Sequence, residues 1–398
     1  MVFFHGGGNI FGSTQDPPFD SPPLATQGVV VVTAEYRLGA LGFFAHPALA
    51  AENNGSAGNY ALMDMIAALS WVQQNIAAFG GDPANVTAFG QSDGAFDLQV
   101  LLVSPPAQGL FSRMALESNA IIAAGLIPTL AAAEATDAPF VQLVGCANAA
   151  DVLSCLRALP AETLVNNQDH IFEAMNLEPQ VVPVDPFTAL QQHGSPVPLL
   201  WGSNREEADF INVDITMPID PTQYTTDVRN EFDPFGVGVA DQVLALYPVA
   251  NYDAPIWAWV DVNSDFIITC DVRAAALAAV GPQRPTVWRY FFTHRLENPN
   301  IFAQYRAFHT EELYFVFGNL MNINGAAYTP TMAEVTLSNN LMGYWTRFAA
   351  TGNPNGAGAA QWLPYDAANE QILQLDDTFS TLNGYHITQC NYLQSLYP

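Results

Sequence analysis

Apolar positions along this chain switch repeatedly between short unbroken runs and a helical spacing. Val2-Phe3-Phe4 is a short strand run, and Val29 to Tyr36 is a β-branched run of the kind that fills a strand covered on both faces. Leu62, Met65, Ile66, Leu69, Val72 and Ile76 then recur at helical spacing, which predicts a helix over Leu62 to Phe79. Gly80-Gly81 stops it, and Asp82-Pro83 turns the chain into a strand at Asn85 to Phe89. A helix over Ala95 to Val103 and a strand over Met114 to Ser118 follow. Strand and helix in alternation predict a doubly wound, mostly parallel α/β sheet. The strand signal fades between 121 and 183, returns at Pro196 to Gly202, fades again between 216 and 280, and returns at Pro285 to Phe292. A late helix over Val335 to Thr351 ends at Gly352-Asn353-Pro354. The expectation is one α/β domain over residues 1–398, with helical, cap-like insertions at 121–183 and 216–280.

Chemistry enters at Gly90-Gln91-Ser92-Asp93-Gly94, which sits between a predicted strand and a predicted helix. The pattern G-x-S-x-G in that setting is the nucleophile elbow of α/β-hydrolases. The turn forces the serine into a strained conformation and leaves its hydroxyl at a helix N-terminus, where backbone N–H groups meet a developing oxyanion. G-x-S-x-G alone is common by chance. A second element, His5-Gly6-Gly7-Gly8, directly follows the first strand run, and such a loop supplies the remaining oxyanion donors in esterases and lipases of this fold.

Composition narrows the partners. The formal charge of -27 arises from 38 acidic residues against 11 basic ones, all of them arginine. No basic patch exists to neutralise phosphates, so nucleic acid is excluded as a partner, and anionic substrates are repelled. No apolar run is long enough to span a bilayer, since Ile121 to Ala133 is broken by Pro128. Four cysteines, Cys146, Cys155, Cys270 and Cys390, lack metal-ligand spacing, and no metal or cofactor is expected. They read either as structural disulfides of a secreted or periplasmic protein or as buried thiols.

Several longer segments resemble the type-B carboxylesterase family, which includes cholinesterases and certain fungal lipases. Val29-Val30-Val31-Val32-Thr33-Ala34-Glu35-Tyr36-Arg37-Leu38-Gly39 is similar to that family's VVVTxNYRLG, and Ala77-Ala78-Phe79-Gly80-Gly81-Asp82-Pro83 to the end of its NIAAFGGDP. The resemblance implies an α/β-hydrolase with Ser92 as nucleophile, followed in order by an acid and a histidine. Gly202-Ser203-Asn204-Arg205-Glu206-Glu207 resembles GxNxDEG, which makes Glu207 the acid, with Glu206 as the neighbouring alternative. Phe308-His309-Thr310-Glu311-Glu312-Leu313 resembles xxHxxEL, which makes His309 the base. His5 is expected to brace the glycine loop, and His294, His386, His46, His170 and His193 to have structural or turn roles. Ser118 resembles a serine that supports the acid from behind, and Gly7, Gly8 and Asp93 are the implied backbone oxyanion donors. The resemblance also implies pairing of Cys146 with Cys155, with the second pair, Cys270 and Cys390, tying the C-terminal segment to the body.

Departures from the family pattern carry their own expectations. Asp93 stands where alanine is usual, and a carboxylate beside a developing negative charge opposes catalysis unless it points away. Gln91 replaces glutamate, and Asn119 replaces glycine. Met1 falls inside the first strand run, so the chain is expected to be an N-terminally truncated member with the Val29 to Val32 run as an open sheet edge. The expected activity is hydrolysis of neutral, moderately apolar small-molecule esters through an acyl-serine intermediate. The alternatives are a lipase acting on long acyl chains and a catalytically impaired binding or adhesion domain.

Overall fold

Alternation along the strands decides the architecture. Val2, Phe4, Ala88, Met114, Leu116, Leu199 and Trp201 enter one buried cluster, together with Leu62, Met65, Leu69, Val272 and Ala276 from helices. Their neighbours Phe3, Phe89, Ala115 and Leu200, with Trp288 and Tyr290, enter a second cluster with Leu313, Phe317, Leu341 and Trp345. Successive side chains of an extended strand point to opposite faces, so a sheet with apolar residues at every position must be covered on both sides. The result is three layers, helix, sheet and helix.

The computed structural model describes residues 1–19, 22–120, 126–168 and 175–397. His170 and part of the expected insertion at 121–183 lie outside the described residues. The sheet has eight strands: β1 (Val2–Phe4), β2 (Val32–Ala34), β3 (Thr87–Gln91), β4 (Arg113–Glu117), β5 (Leu199–Asn204), β6 (Val287–Phe292), β7 (Gln371–Leu375) and β8 (Ser380–Asn383). Their spatial order is β8-β7-β6-β5-β4-β3-β1-β2, parallel throughout except that β8 returns antiparallel on β7. This is the mostly parallel sheet of an α/β-hydrolase. Among the described residues no helix is long and apolar enough to cross a membrane.

Where the elements differ from expectation, pairing explains the difference. The apolar run at Val29 to Tyr36 forms ladder only at Val32–Ala34, because β2 is an edge strand whose single neighbour β1 is itself three residues long. The predicted long helix is α-helical over Tyr60–Asn75 and tightens to a 3₁₀ turn over Ile76–Phe79. The elbow helix starts at Asp93, two residues before the predicted Ala95, since Ser92 already occupies its N-cap position. The β7–β8 hairpin and the helix Ile387–Gln394 were not anticipated from the sequence. Helix Cys270–Ala279 packs against the sheet through Val272, Ala275 and Ala276, whereas Tyr224, Val228, Phe232 and Tyr247 form a separate cluster.

Covalent and ionic ties hold the C-terminal part to this body. Cys146 is bonded to Cys155 and Cys270 to Cys390, with sequence separations of 9 and 120. Arg273 forks onto Glu370 with contacts of 2.6 and 2.7 Å. His294, just past β6, is buried between Glu334 at 3.4 Å on one ring nitrogen and Asp377 at 3.2 Å on the other. Burial alone lowers this imidazole's pKa, but hydrogen bonds to Asp376 and Glu334 outweigh it and push the pKa up to about 9. Glu334, despite its own burial, is held down at about 2 by bonds from His294, Tyr328 and the backbone of Thr331.

Two predictions follow from these ties. Replacing Cys270 and Cys390 by serine should cost about 4–5 kcal/mol on the chain-entropy argument, against about 2–3 kcal/mol for the short cystine. Denaturant melts of the two double variants check the order, and equal losses would contradict it. His294→Ala should cost about 3 kcal/mol at pH 6, because it leaves the buried Glu334 carboxylate without its cation. The folded state holds the His294 proton more tightly than the unfolded chain does. Its contribution is therefore whole below pH ~6.5 and is lost as pH climbs through about 9. Equal stability of variant and parent at pH 6 would remove the ion pair from this account.

Candidate active site

Ser92 sits at the end of β3 with φ 54° and ψ −127°, a left-handed conformation that a serine adopts only under constraint. Two neighbours impose it. The Ser92 N–H donates to the Glu117 carbonyl at 2.8 Å, continuing the β3–β4 ladder into the turn. The following helix is drawn so close to β1 that a Cβ at Gly94 would lie 2.2 Å from the Phe4 carbonyl oxygen. Only glycine fits there. The His5 loop is built in a similar way. Gly7 has φ +123°, and a Cβ on it would lie 2.0 Å from the Phe11 carbonyl oxygen. His5 Nδ1 meets the Gly6 carbonyl at 2.7 Å, its ring stacks on Tyr36 at 4.7 Å, and Tyr36 donates its hydroxyl to the His5 carbonyl at 2.6 Å.

The carboxyl end of β5 carries Glu207, and the loop after β6 carries His309. These residues meet: His309 Nδ1 lies 2.5 Å from Glu207 Oε2, and Glu207 Oε1 accepts the Asn204 N–H at 2.6 Å. A bridge between Glu206 and Phe308 aligns the two loops. Burial lowers the pKa of His309, but the adjacent Glu207 carboxylate outweighs it, so the net direction is upward. Glu206 turns away to Arg295 at 3.4 Å and Arg306 at 3.8 Å, which separates it from the site. The remaining described histidines are occupied elsewhere. His46 caps a helix by accepting the Ala48 N–H, His386 pairs with Asp265, His193 ends the helix Pro186–His193, and His294 holds its ion pairs.

Ser118, expected to support the acid from behind, donates its hydroxyl to Glu312 Oε1 at 3.4 Å. Glu312 lies one helical turn beyond His309 and is also held by the Asn204 side chain, so Ser118 reaches Glu207 only through this intermediary. Glu312 was missed from sequence, where its only signal is the three-residue spacing from His309. Burial, together with the nearby Glu207 charge, pushes its pKa up to about 7. Glu117, beneath the elbow, is driven well above the usual carboxylate range by burial and by Glu312, and it accepts the Trp345 indole N–H at 3.0 Å.

Ser92, His309 and the glycine loop line a cavity of about 580 Å³ whose walls include Phe11, Phe19, Ile211 and Leu313. Its charged lining is Asp16 and Asp93, and among the described residues no arginine reaches it. The Gly8 N–H donates to Asp93 Oδ2 at 2.6 Å, and the Ser92 hydroxyl donates to the same oxygen at 3.2 Å. His309 Nε2 faces the Gln91 amide nitrogen at 3.0 Å. Away from the site, ligand atoms of His294, Asp376 and Asp377 lie within 4.8 Å of one another, and ion pairing of the imidazolium already satisfies that set.

The arrangement matches known proteins along the whole chain. The profile of the Carboxylesterase family covers residues 1–393. Para-nitrobenzyl esterase of Bacillus subtilis (strain 168) is 34% identical over 413 residues, spanning 100% of this chain and 79% of that protein. Carboxylesterase 5A of Felis catus is 32% identical, spanning 94% of this chain and 70% of its own length. A solved PNB esterase superposes with a TM-score of 0.79 at 30% identity, covering 98% of this chain and 80% of that one. The chain belongs to the carboxylesterase family, enzymes that hydrolyse carboxylic esters.

Proposed function

We propose that this chain hydrolyses neutral, moderately apolar esters in two steps through an acyl-Ser92 intermediate. The observation that carries the reading is the 2.5 Å contact between His309 and the buried Glu207, with His309 lining the same cavity as the strained Ser92. In the first step Ser92 Oγ bonds to the ester carbonyl carbon and its proton passes to His309 Nε2. Glu207 keeps Nδ1 protonated and stabilises the imidazolium. The carbonyl oxygen becomes an oxyanion facing the N–H groups of Gly7, Gly8 and Asp93. Collapse breaks the bond to the alcohol oxygen, which leaves with the proton from His309. Water then attacks the acyl carbon by the same route and releases the acid.

Substrate preference follows from the walls and the field. An apolar cavity of about 580 Å³ fits a small ester. Asp16, Asp93 and the net charge of -27 oppose anionic acyl groups. The insertion at 216–280 is read as a cap, and the separate apolar cluster of Tyr224, Val228, Phe232 and Tyr247 supports that reading. Two cystines support an oxidising, extracellular or periplasmic setting.

A series of p-nitrophenyl esters of graded acyl length tests the reading, with turnover expected for short and medium chains. Ser92→Ala should lower kcat by at least ~10⁴-fold with an unchanged melting temperature, and His309→Ala should lower it nearly as much. Substantial residual turnover in a pure Ser92→Ala sample would defeat the assignment. Activity should rise with pH as His309 loses its proton, and its upward shift places the midpoint above that of a free imidazole. A midpoint below the free-imidazole value, with chemistry rate-limiting, would contradict His309 as the base.

A further inference from the structure

The hydrogen bonds around Ser92 do not form the pattern that catalysis needs. A nucleophile ready for attack donates its proton to the histidine and leaves the oxyanion donors open. Here the Ser92 hydroxyl donates to Asp93 Oδ2 at 3.2 Å, and the Gly8 N–H donates to that same oxygen at 2.6 Å. Oxyanion donors bind their target at about 2.7–3.1 Å. The carboxylate oxygen thus takes one of the proposed oxyanion donors and lies within hydrogen-bond distance of the proposed nucleophile. One N–H carries one hydrogen, so Asp93 and an ester carbonyl compete for Gly8. His309 is likewise engaged, with Nε2 facing the Gln91 amide at 3.0 Å.

The surroundings leave Asp93 few other partners. Among the described residues no cation pairs with it. The acid one helical turn along, Asp97, is fully buried beside Asn9, and burial together with the Asp93 charge drives it well above the usual carboxylate range. The anionic acceptor at position 93 therefore takes the nearest strong donors, which are Gly8 N–H and Ser92 O–H.

We propose that the Asp93 side chain is an internal latch on the oxyanion cradle, holding the donor and the nucleophile's proton until an incoming ester displaces it. This rests on the ester-hydrolase reading above. When the carboxylate swings into the cavity, the Ser92 hydroxyl is released to His309 and Gly8 is released to the substrate. Asp93 is a positioning residue in this scheme. Its backbone N–H serves the oxyanion, whereas its side chain opposes binding there, and every substrate or inhibitor that places an oxygen in the cradle meets the same competition.

The test uses the full chain with Asp93→Ala, Asp93→Asn and the parent, and three readouts. These are kcat/KM for p-nitrophenyl acetate, inhibition by phenylboronic acid, and the rate of Ser92 labelling by a fluorophosphonate. Asp93→Ala should raise kcat/KM and the labelling rate at least about tenfold and tighten boronate inhibition by a similar factor. Asp93→Asn, which keeps an acceptor without the charge, should shift all three in the same direction by less. An unchanged melting temperature would separate these gains from a stability effect. If the parent is labelled at Ser92 and turns over but both variants are equal or slower, the latch is overturned and the esterase reading stands. If Ser92 is labelled in none of the three proteins, the esterase reading fails and the latch fails with it.

Discussion

The left-handed backbone at Ser92 is the constraint on which the site depends. A residue held there costs of order 1–3 kcal/mol and persists only where its surroundings over-determine it. Here the β3–β4 ladder continues through the Ser92 N–H, and the contact between Gly94 and the Phe4 carbonyl pins the helix from the other side. Both restraints come from interior strands of the sheet, with β3 between β1 and β4. The position of Ser92, the proposed nucleophile, is therefore set by fully buried strands. Glu207 and His309, the proposed acid and base, hang on loops beyond β5 and β6, outside the carboxyl ends of parallel strands, where open α/β sheets place their ligands.

Beneath this surface lies a layer of buried acids whose electrostatics is decided by desolvation. Glu117, Glu311 and Glu312 are all pushed upward by burial, with neighbouring carboxyls adding to the shift. A shift in that direction favours the neutral form of each carboxyl, which hydrogen-bonds without burying a charge. Glu207 is distinguished by its partners, Asn204 N–H on one oxygen and His309 on the other. Asn204 links this pair to Glu312, and Glu312 links it to Ser118, so several buried polar groups orient one imidazole.

Asp93 breaks the local logic of the elbow. A carboxylate at the first helical turn suits the helix dipole, yet the same position faces the oxyanion cradle. Two ordinary electrostatic preferences thus conflict at one residue, and the Asp93 carboxylate accepts the Gly8 N–H, a bond that the proposed mechanism would break. Stability elsewhere comes from more conventional ties, including the Cys270–Cys390 cystine and the Arg273–Glu370 fork, which anchor the C-terminal helix and hairpin.

Local rules were enough to read the strand–elbow–helix around Ser92, the glycine loop after β1 and the long helices, because each is encoded by periodicity and by glycine positions within a few residues. The family motifs added Glu207 and His309, which lie 102 residues apart and which no local rule could bring together. Periodicity could not limit β2 to three residues, since strand length depends on the neighbour available for pairing. The β7–β8 hairpin was equally invisible, because its short amphipathic strands are fixed by β6 and Arg273 across the fold. The placement of Glu312, the bond to it from Ser118 and the bond from the Gly8 N–H to Asp93 were decided by tertiary structure alone. Each depends on which donor lies nearest a buried or half-buried acid, and that distance is set only when separate loops converge on the same end of the sheet.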